Sequence, residues 1–200
     1  MKKALIVIDM QYDFIPGGSL AVEGGDEIIP LINQLIQEYD LVLATQDWHP
    51  ADHKSFASQH PGMKPYDTIE LHGLHQVLWP DHCVQGTHGA EFHQDLDLRK
   101  VEAIFRKGMN PEIDSYSGFY DNGHLKTTGL SGYLREKGVT EVHFAGLAAD
   151  FCVHYSITDA LKEGFEVTLI ENATKPIFPE QFAQQKEALK DQVNFITYKG

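Results

Sequence analysis

The stretch Asp47-Trp48-His49-Pro50-Ala51-Asp52-His53 follows directly on the apolar run LVLATQ. A carboxylate and two imidazoles therefore stand where a buried strand runs out. Pro, Asp and Ala would suffice to make a surface turn, so the histidines call for another explanation. In an extended segment Asp47 and His49 point the same way. A third side chain, His82 in WPDHC, can be brought back by the long intervening loop to complete a set of two histidines and one carboxylate. Oxygen combined with imidazole suits zinc, iron or manganese. His53 is either a fourth ligand or an outer neighbour of such a site. The spacing D-x-H with a remote histidine is a weak motif taken alone.

Three further groups could do covalent chemistry. Asp9 ends the run ALIVID, Lys107 follows VEAIF, and Cys152 follows GLAAD at a predicted helix start. A thiol in the first turn of a helix feels the positive end of the macrodipole, which favours its thiolate. A carboxylate can act as its base, and a lysine can keep that carboxylate ionised. Each residue also has a plainer reading: a strand-end aspartate caps a turn, a lysine is solvated, and a cysteine packs as a small apolar side chain. Their convergence favours chemistry, because ligands of parallel sheets bind outside the carboxyl ends of the strands. Cys83, next to His82, is expected to face away and pack. His60, His72, His75, His88, His93, His124, His143 and His154 are expected to be solvated or structural.

The elements that must position these groups are readable from apolar runs. ALIVID (4–9), LVLAT (41–45), VEAIF (101–105), VHFAG (142–146), FEVTLI (165–170) and VNFITY (193–198) suit strands covered on both faces. Between them Ile28, Ile29, Ile32, Leu35 and Ile36 keep a helical period, with Pro30 early enough to be tolerated. Leu130, Tyr133 and Leu134 mark a second helix closed by Gly138, DFCVHYSITDALKEG a third, and PEQFAQQKEALKD a fourth. This alternation predicts an α/β fold of three layers, doubly wound, with a mostly parallel sheet and helices on both faces. Residues 47–100 break the pattern. They carry eight of the eleven histidines and no strong periodic element, far beyond ordinary loop length.

Composition narrows the partners. With 200 residues, 42% of them hydrophobic, the expectation is one domain over 1–200 with a long metal-site excursion at about 47–100. A net charge of -13, without a basic block, repels nucleic acid and anionic membrane surfaces. No apolar run approaches the roughly 20 residues of a transmembrane helix, and the N-terminal run meets Asp9 too soon for a signal peptide. Two cysteines make a disulfide framework an unsuitable reading, so a reducing, cytoplasmic setting is expected. Monomer and homo-oligomer both stay open.

The strings VIDMQYDFIPGGSL, ATQDWHPADHKSF, WPDHCVQGTHGAEFH, FRKG followed by DSYSGF, and GLAADFCVHYSITDAL occur in that order between Ala4 and about Asn172. Together the set resembles the nicotinamidases, cysteine amidohydrolases of the isochorismatase-like superfamily. The resemblance implies that fold, conversion of nicotinamide to nicotinate and ammonia in NAD salvage, and activity on pyrazinamide as well. It implies Asp9, Lys107 and Cys152 as catalytic triad, and Asp47, His49 and His82 as ligands of one divalent metal. That metal is expected to be zinc, with iron and manganese as alternatives; His53 occupies a position that ligates in some relatives only. Leu147-Ala148 falls at a cis peptide of the family, Ala148 and Cys152 supply oxyanion N–H groups, and Phe14, Trp79, Tyr116 and Leu147 border the ring. Members that hydrolyse isochorismate lack this cysteine. Three rivals remain: a sibling cysteine hydrolase acting on another small amide, a metallohydrolase using metal-bound hydroxide, and a non-enzymatic sensor.

Overall fold

The computed structural model describes residues 2–199; Met1 and Gly200, the two ends of the expected 1–200 domain, lie outside the described residues. In chain order the elements are β1 (Lys2–Ile8), α1 (Ile29–Glu38), β2 (Val42–Asp47), β3 (Thr68–Leu71), β4 (Leu74–Val77), β5 (Val101–Lys107), α2 (Leu130–Glu136), β6 (Val139–Leu147), α3 (His154–Lys162), β7 (Glu166–Lys175), α4 (Pro179–Leu189) and β8 (Val193–Ile196). Six strands form one parallel sheet in the order β5-β2-β1-β6-β7-β8, as the continuous apolar runs predict. One face is covered by α1, through Ile29, Ile32, Leu35 and Ile36, together with Trp79, Cys83, Ala90 and Leu96 from the long excursion. The other face packs against Leu130 and Leu134 of α2, Ile157 and Ala160 of α3, and Phe182 and Leu189 of α4. The fold is the three-layer α/β arrangement expected.

Strand order decides where chemistry can occur. The four neighbouring strands β5, β2, β1 and β6 end in Lys107, Asp47, Ile8 followed by Asp9, and Leu147. Asp47 and Lys107 are register partners, so their side chains emerge side by side. At Gly146 (φ +117°) β6 passes so close to β1 that a Cβ would lie 2.1 Å from the Ile8 carbonyl oxygen. Only glycine permits that approach just before the nucleophile's turn.

The excursion holds more regular structure than its sequence suggests. β3 and β4 pair as an antiparallel hairpin, turning through His72 and Gly73, both at positive φ. That pair of conformations is the one a two-residue hairpin turn requires. The sequence reading does not include this hairpin: β3 alternates in polarity over only four residues, β4 does not alternate, and Gly73 is the one turn signal between them. A second departure lies at residues 149–153, which form a π-helical turn leading into α3. The sequence pattern there is read as ordinary helix.

Candidate active site

Lys107 is the hub. Its ammonium is buried and lies 2.9 Å from Asp9 Oδ2, 2.5 Å from Asp47 Oδ1, 3.1 Å from the Ser115 carbonyl oxygen and 3.4 Å from Cys152 Sγ. Asp9, Asp47 and Cys152 each offer an atom within 4.8 Å of the others. The three residues expected as a triad are therefore together. Asp9 adopts a left-handed backbone conformation (φ +46°), uncommon for a non-glycine residue and concentrated at functional positions. Thr45, two residues before Asp47 on β2, donates its hydroxyl to Asp9 Oδ1 at 2.6 Å. Sequence reading missed Thr45, whose only signal is its strand-end position. The Leu147–Ala148 peptide is cis.

Burial controls the charges. It pushes the Asp9 carboxyl above its ordinary range; Lys107 pulls the other way, and the Asp47 charge adds to the rise. Burial also pushes the Cys152 thiol well above its ordinary value, with Lys107 opposing and the Asp9 and Asp47 carboxylates reinforcing. These directions run against the thiolate favoured by a helix start, because desolvation and two nearby carboxylates outweigh the shared lysine. Asp47 behaves oppositely: burial would raise its carboxyl, but Lys107, then His49 and His82, hold it far below the usual carboxylate range.

Asp47, His49 and His82 form a second cluster directly beside the first. Their nearest donor atoms all lie within 4.8 Å of one another, with Asp47 Oδ2 at 3.5 Å from His49 Nε2 and 3.8 Å from His82 Nε2. The hydrogen bonds of the rings decide which lone pairs face inward. His49 Nδ1 donates to the Gly108 carbonyl at 2.9 Å and His82 Nδ1 to the Pro80 carbonyl at 2.8 Å, which turns Nε2 of each ring inward as the acceptor of its deprotonated form. Burial lowers the His49 pKa, but the Asp47 carboxylate beside it, with Asp114 adding, raises it above the ordinary value. His49 Nε2 is buried without a hydrogen-bond partner. A buried acceptor of that kind, flanked by a carboxylate held ionised, fits a divalent metal. Gly108 is required here, since a Cβ would come within 2.3 Å of the His49 ring.

His53 differs. Its Nδ1 accepts the Ser55 backbone N–H at 3.2 Å and lies 2.7 Å from the Ser55 hydroxyl, so the ring proton of the neutral form sits on Nε2. That nitrogen presents a donor, not a lone pair. Burial lowers the His53 pKa to about 4 and likewise that of His82 to about 4, keeping both rings neutral near pH 7. Cys83 packs as expected, buried with its N–H donating to Asp13.

A cavity of about 20 Å³ opens above Cys152. Phe14, Trp79 and Tyr116, the expected ring walls, line it, as do Ala148, Phe151, Asp114 and Ile177. Tyr116 is fixed by hydrogen bonds from Trp79 Nε1 (3.2 Å) and Gln76 Nε2 (3.1 Å) to its hydroxyl. Leu147 is not on this wall; it is fully buried in the core, because the strand's last side chain turns towards α1's layer. Asp114, Phe151 and Ile177 were missed, since each reaches the pocket through contacts that no local pattern records.

Residues 3–198 match the isochorismatase domain family. The chain is 52% identical over 174 residues to the nicotinamidase of Acinetobacter baylyi, covering 87% of this chain and 81% of that protein. Among solved structures, a nicotinamidase/pyrazinamidase of Acinetobacter baumannii superposes with a TM-score of 0.95 at 48% identity, covering 98% and 96% of the two chains. A pyrazinamidase of Pyrococcus horikoshii in complex with zinc superposes with a TM-score of 0.81 at 39% identity, covering 99% and 100%.

Proposed function

Because this chain belongs to the isochorismatase domain family and groups with its nicotinamidases, we propose that it hydrolyses nicotinamide to nicotinate and ammonia through a thioester on Cys152. The observation that carries this reading is the Lys107 ammonium, 2.9 Å from Asp9 and 3.4 Å from the Cys152 sulfur, beneath a pocket with aromatic walls. A general base, a nucleophile and an orienting cation are thereby assembled in one place.

Asp9 takes the thiol proton as Sγ attacks the carboxamide carbon. A carboxylate whose pKa is raised is the stronger base, which suits a thiol that rests protonated. The N–H groups of Ala148 and Cys152 meet the oxyanion. As the C–N bond breaks, Asp9 returns the proton to the departing nitrogen and ammonia leaves. Water then attacks the thioester while Asp9 accepts its proton; nicotinate departs and the thiol is restored. Lys107 balances the carboxylate charges through both transfers.

Asp47, His49 and His82 would hold a divalent metal, for which zinc is our choice over iron and manganese, and the metal would supply a Lewis-acid contact for the ring nitrogen. The zinc-bound pyrazinamidase relative supports that choice. His53 would stay outside the ligand set and offer its Nε2–H. Phe14, Trp79 and Tyr116 would sandwich and orient the ring. Pyrazinamide, with the same carboxamide and a ring nitrogen in the same place, is the second expected substrate. The same reading treats residues 1–200 as one domain and places the reaction in NAD salvage in the cytoplasm. Among the described residues no helix is long and apolar enough to cross a membrane.

Ammonia release from nicotinamide by the purified protein, with metal content measured on the same sample, tests the assignment. Nicotinate and ammonia are expected in equal amounts. A metal-loaded, folded protein that releases neither refutes it.

A further inference from the structure

The turn that carries the nucleophile is tied to the opposite pocket wall by a carboxylate with no part in the chemistry above. Asp150 lies two residues before Cys152 in the π-helical turn and is fully buried. One carboxylate oxygen accepts the Ile177 N–H at 2.9 Å and the other the Phe178 N–H at 2.7 Å. Its backbone carbonyl accepts from Gln185 Nε2 at 3.0 Å and Gln181 Nε2 at 3.4 Å, both on α4. The charge is met by the N–H groups of the two residues just before α4, Phe178 being its N-cap, on the side of that helix where the macrodipole favours an anion. A buried carboxylate costs stability unless so satisfied.

The segment it grips borders the site. Residues 176–178 connect β7 to α4 without regular structure of their own. Ile177 lines the pocket with Ala148, Phe151 and Cys152, and Phe178 packs edge-on against Phe151 at 6.2 Å between ring centroids. Two walls of one cavity of about 20 Å³ thus come from two loops. A cavity of roughly 10–15 Å³ holds one water, so a small displacement of either loop changes what fits.

We infer that Asp150 is a positioning residue: by gripping the 176–178 segment it sets the distance between Ile177 and the Cys152 turn, and so selects which ring amides reach the thiol. The substrate half of this inference rests on the nicotinamide reading; the clamp itself does not. Aspartate suits the task because both its oxygens accept. Asparagine keeps the shape but turns one acceptor into an NH2 group facing an N–H, and glutamate keeps both acceptors on a stem one methylene longer.

Asp150→Asn is expected to raise the KM for nicotinamide about tenfold, the scale of one lost charge-assisted hydrogen bond, while kcat changes by less than about threefold. With the wall released, kcat/KM for at least one ring-methylated nicotinamide should rise about tenfold relative to nicotinamide itself. A purely structural role would lower the thermal midpoint and leave both KM and that ratio unmoved. Asp150→Glu, expected to shift both in the same direction, decides the matter if the asparagine variant does not fold. In the parent protein the Ile177 and Phe178 amides should be protected from hydrogen exchange. Fast exchange there, or a folded variant with parental KM and selectivity, overturns the inference. A parent that releases no ammonia from nicotinamide instead defeats the functional reading, and the exchange measurement still reports on the clamp.

Discussion

The two halves of the site are built by different means. Asp9, Lys107 and Cys152 sit at the ends of β1 and β5 and in the turn after β6, so the central sheet holds their backbones. His49, His53 and His82 belong to the excursion between β2 and β5, where ring orientation depends on local hydrogen bonds to Gly108, Ser55 and Pro80. Asp47 belongs to both halves: it ends β2, gives one oxygen to Lys107 and turns the other towards the histidines. On the proposed function, the half that would break bonds is anchored in the sheet, and the half that would orient the ring is anchored in loops. Losses in the first should stop chemistry, whereas losses in the second should weaken positioning.

The largest effect should follow loss of the nucleophile. Cys152→Ala is expected to lower turnover by about four orders of magnitude or more, while nicotinamide still binds because walls and metal ligands are untouched. Mass spectrometry of quenched parent enzyme should find the acyl group on Cys152 and none on Cys83. An alanine variant with substantial turnover would transfer the chemistry to the metal half and collapse the distinction.

Lys107 should come next, and it tests whether the halves are separable. Lys107→Ala is expected to reduce kcat by about two to three orders of magnitude, since two buried carboxylates would be left without their cation. Its effect on metal affinity should have the opposite sign or be absent. The ammonium occupies Asp47 Oδ1, and removing a positive charge beside the cluster favours a second cation. Calorimetric titration of the apoprotein with zinc measures this. A large fall in zinc affinity would show that Lys107 props up both halves. Lys107→Arg should also be poorly active, because a planar fork does not replace a point charge at 2.5 Å from one carboxylate and 2.9 Å from the other.

Metal removal should cost less than loss of the triad, and unequally between substrates. Stripping the metal, or His49→Ala, is expected to lower kcat/KM for nicotinamide about ten- to a hundredfold. Benzamide has no ring nitrogen; it should be a poor substrate and lose far less. Metal-bound hydroxide as nucleophile predicts equal losses for both amides. Equal dependence would therefore overturn the division between chemistry and positioning.

The same division governs what could be read without coordinates. Asp9, Asp47 and Lys107 each close an apolar run, so counting strands was enough to place them on one edge. Cys152 followed from its position after GLAAD. The ligand set was less firmly readable: D-x-H is a weak pattern, and His82 could be added only on the supposition that the long loop brings WPDHC back. Several contacts were invisible because they join distant segments, such as Thr45 to Asp9 across 36 residues and His49 to Gly108 across 59. The β3–β4 hairpin escaped for a different reason: its strands are four residues each, and only β3 alternates between exposed polar and half-buried apolar side chains, too short a pattern to stand out.

The pH profile separates the halves again. As the proposed base, Asp9 would have to be ionised to accept the thiol proton, and its pKa is raised, so kcat/KM should fall as pH drops through a value above the ordinary 3.8 of an aspartate. His82 and His53, lowered to about 4, remain neutral over the upper part of that range. Below the limb each unit of pH should cost up to about tenfold. Metal-free benzamide turnover should show the same limb. Its absence there would assign the titration to the ligands and remove Asp9 as the base.

The smallest effect is expected at His53, where the two imidazole roles can be told apart. A ligand and an outer donor both lie next to the metal, but only the ligand supplies a lone pair. With Nδ1 accepting from the Ser55 N–H, the His53 ring directs an N–H inward. His53→Asn retains a side-chain N–H donor, and His53→Ala removes it. If His53 is an outer neighbour, the alanine variant should bind zinc about three- to tenfold more weakly, and the asparagine variant should recover much of that loss. His49→Ala should instead lose zinc by a much larger factor, because it removes the buried Nε2 that would ligate the metal. The visible spectrum of the cobalt-substituted protein reads coordination directly: it should be nearly unchanged in both His53 variants and altered in His49→Ala. A cobalt spectrum that changes with His53→Asn as much as with His49→Ala would make His53 a fourth ligand and move it from the margin of the loop-built half to its centre.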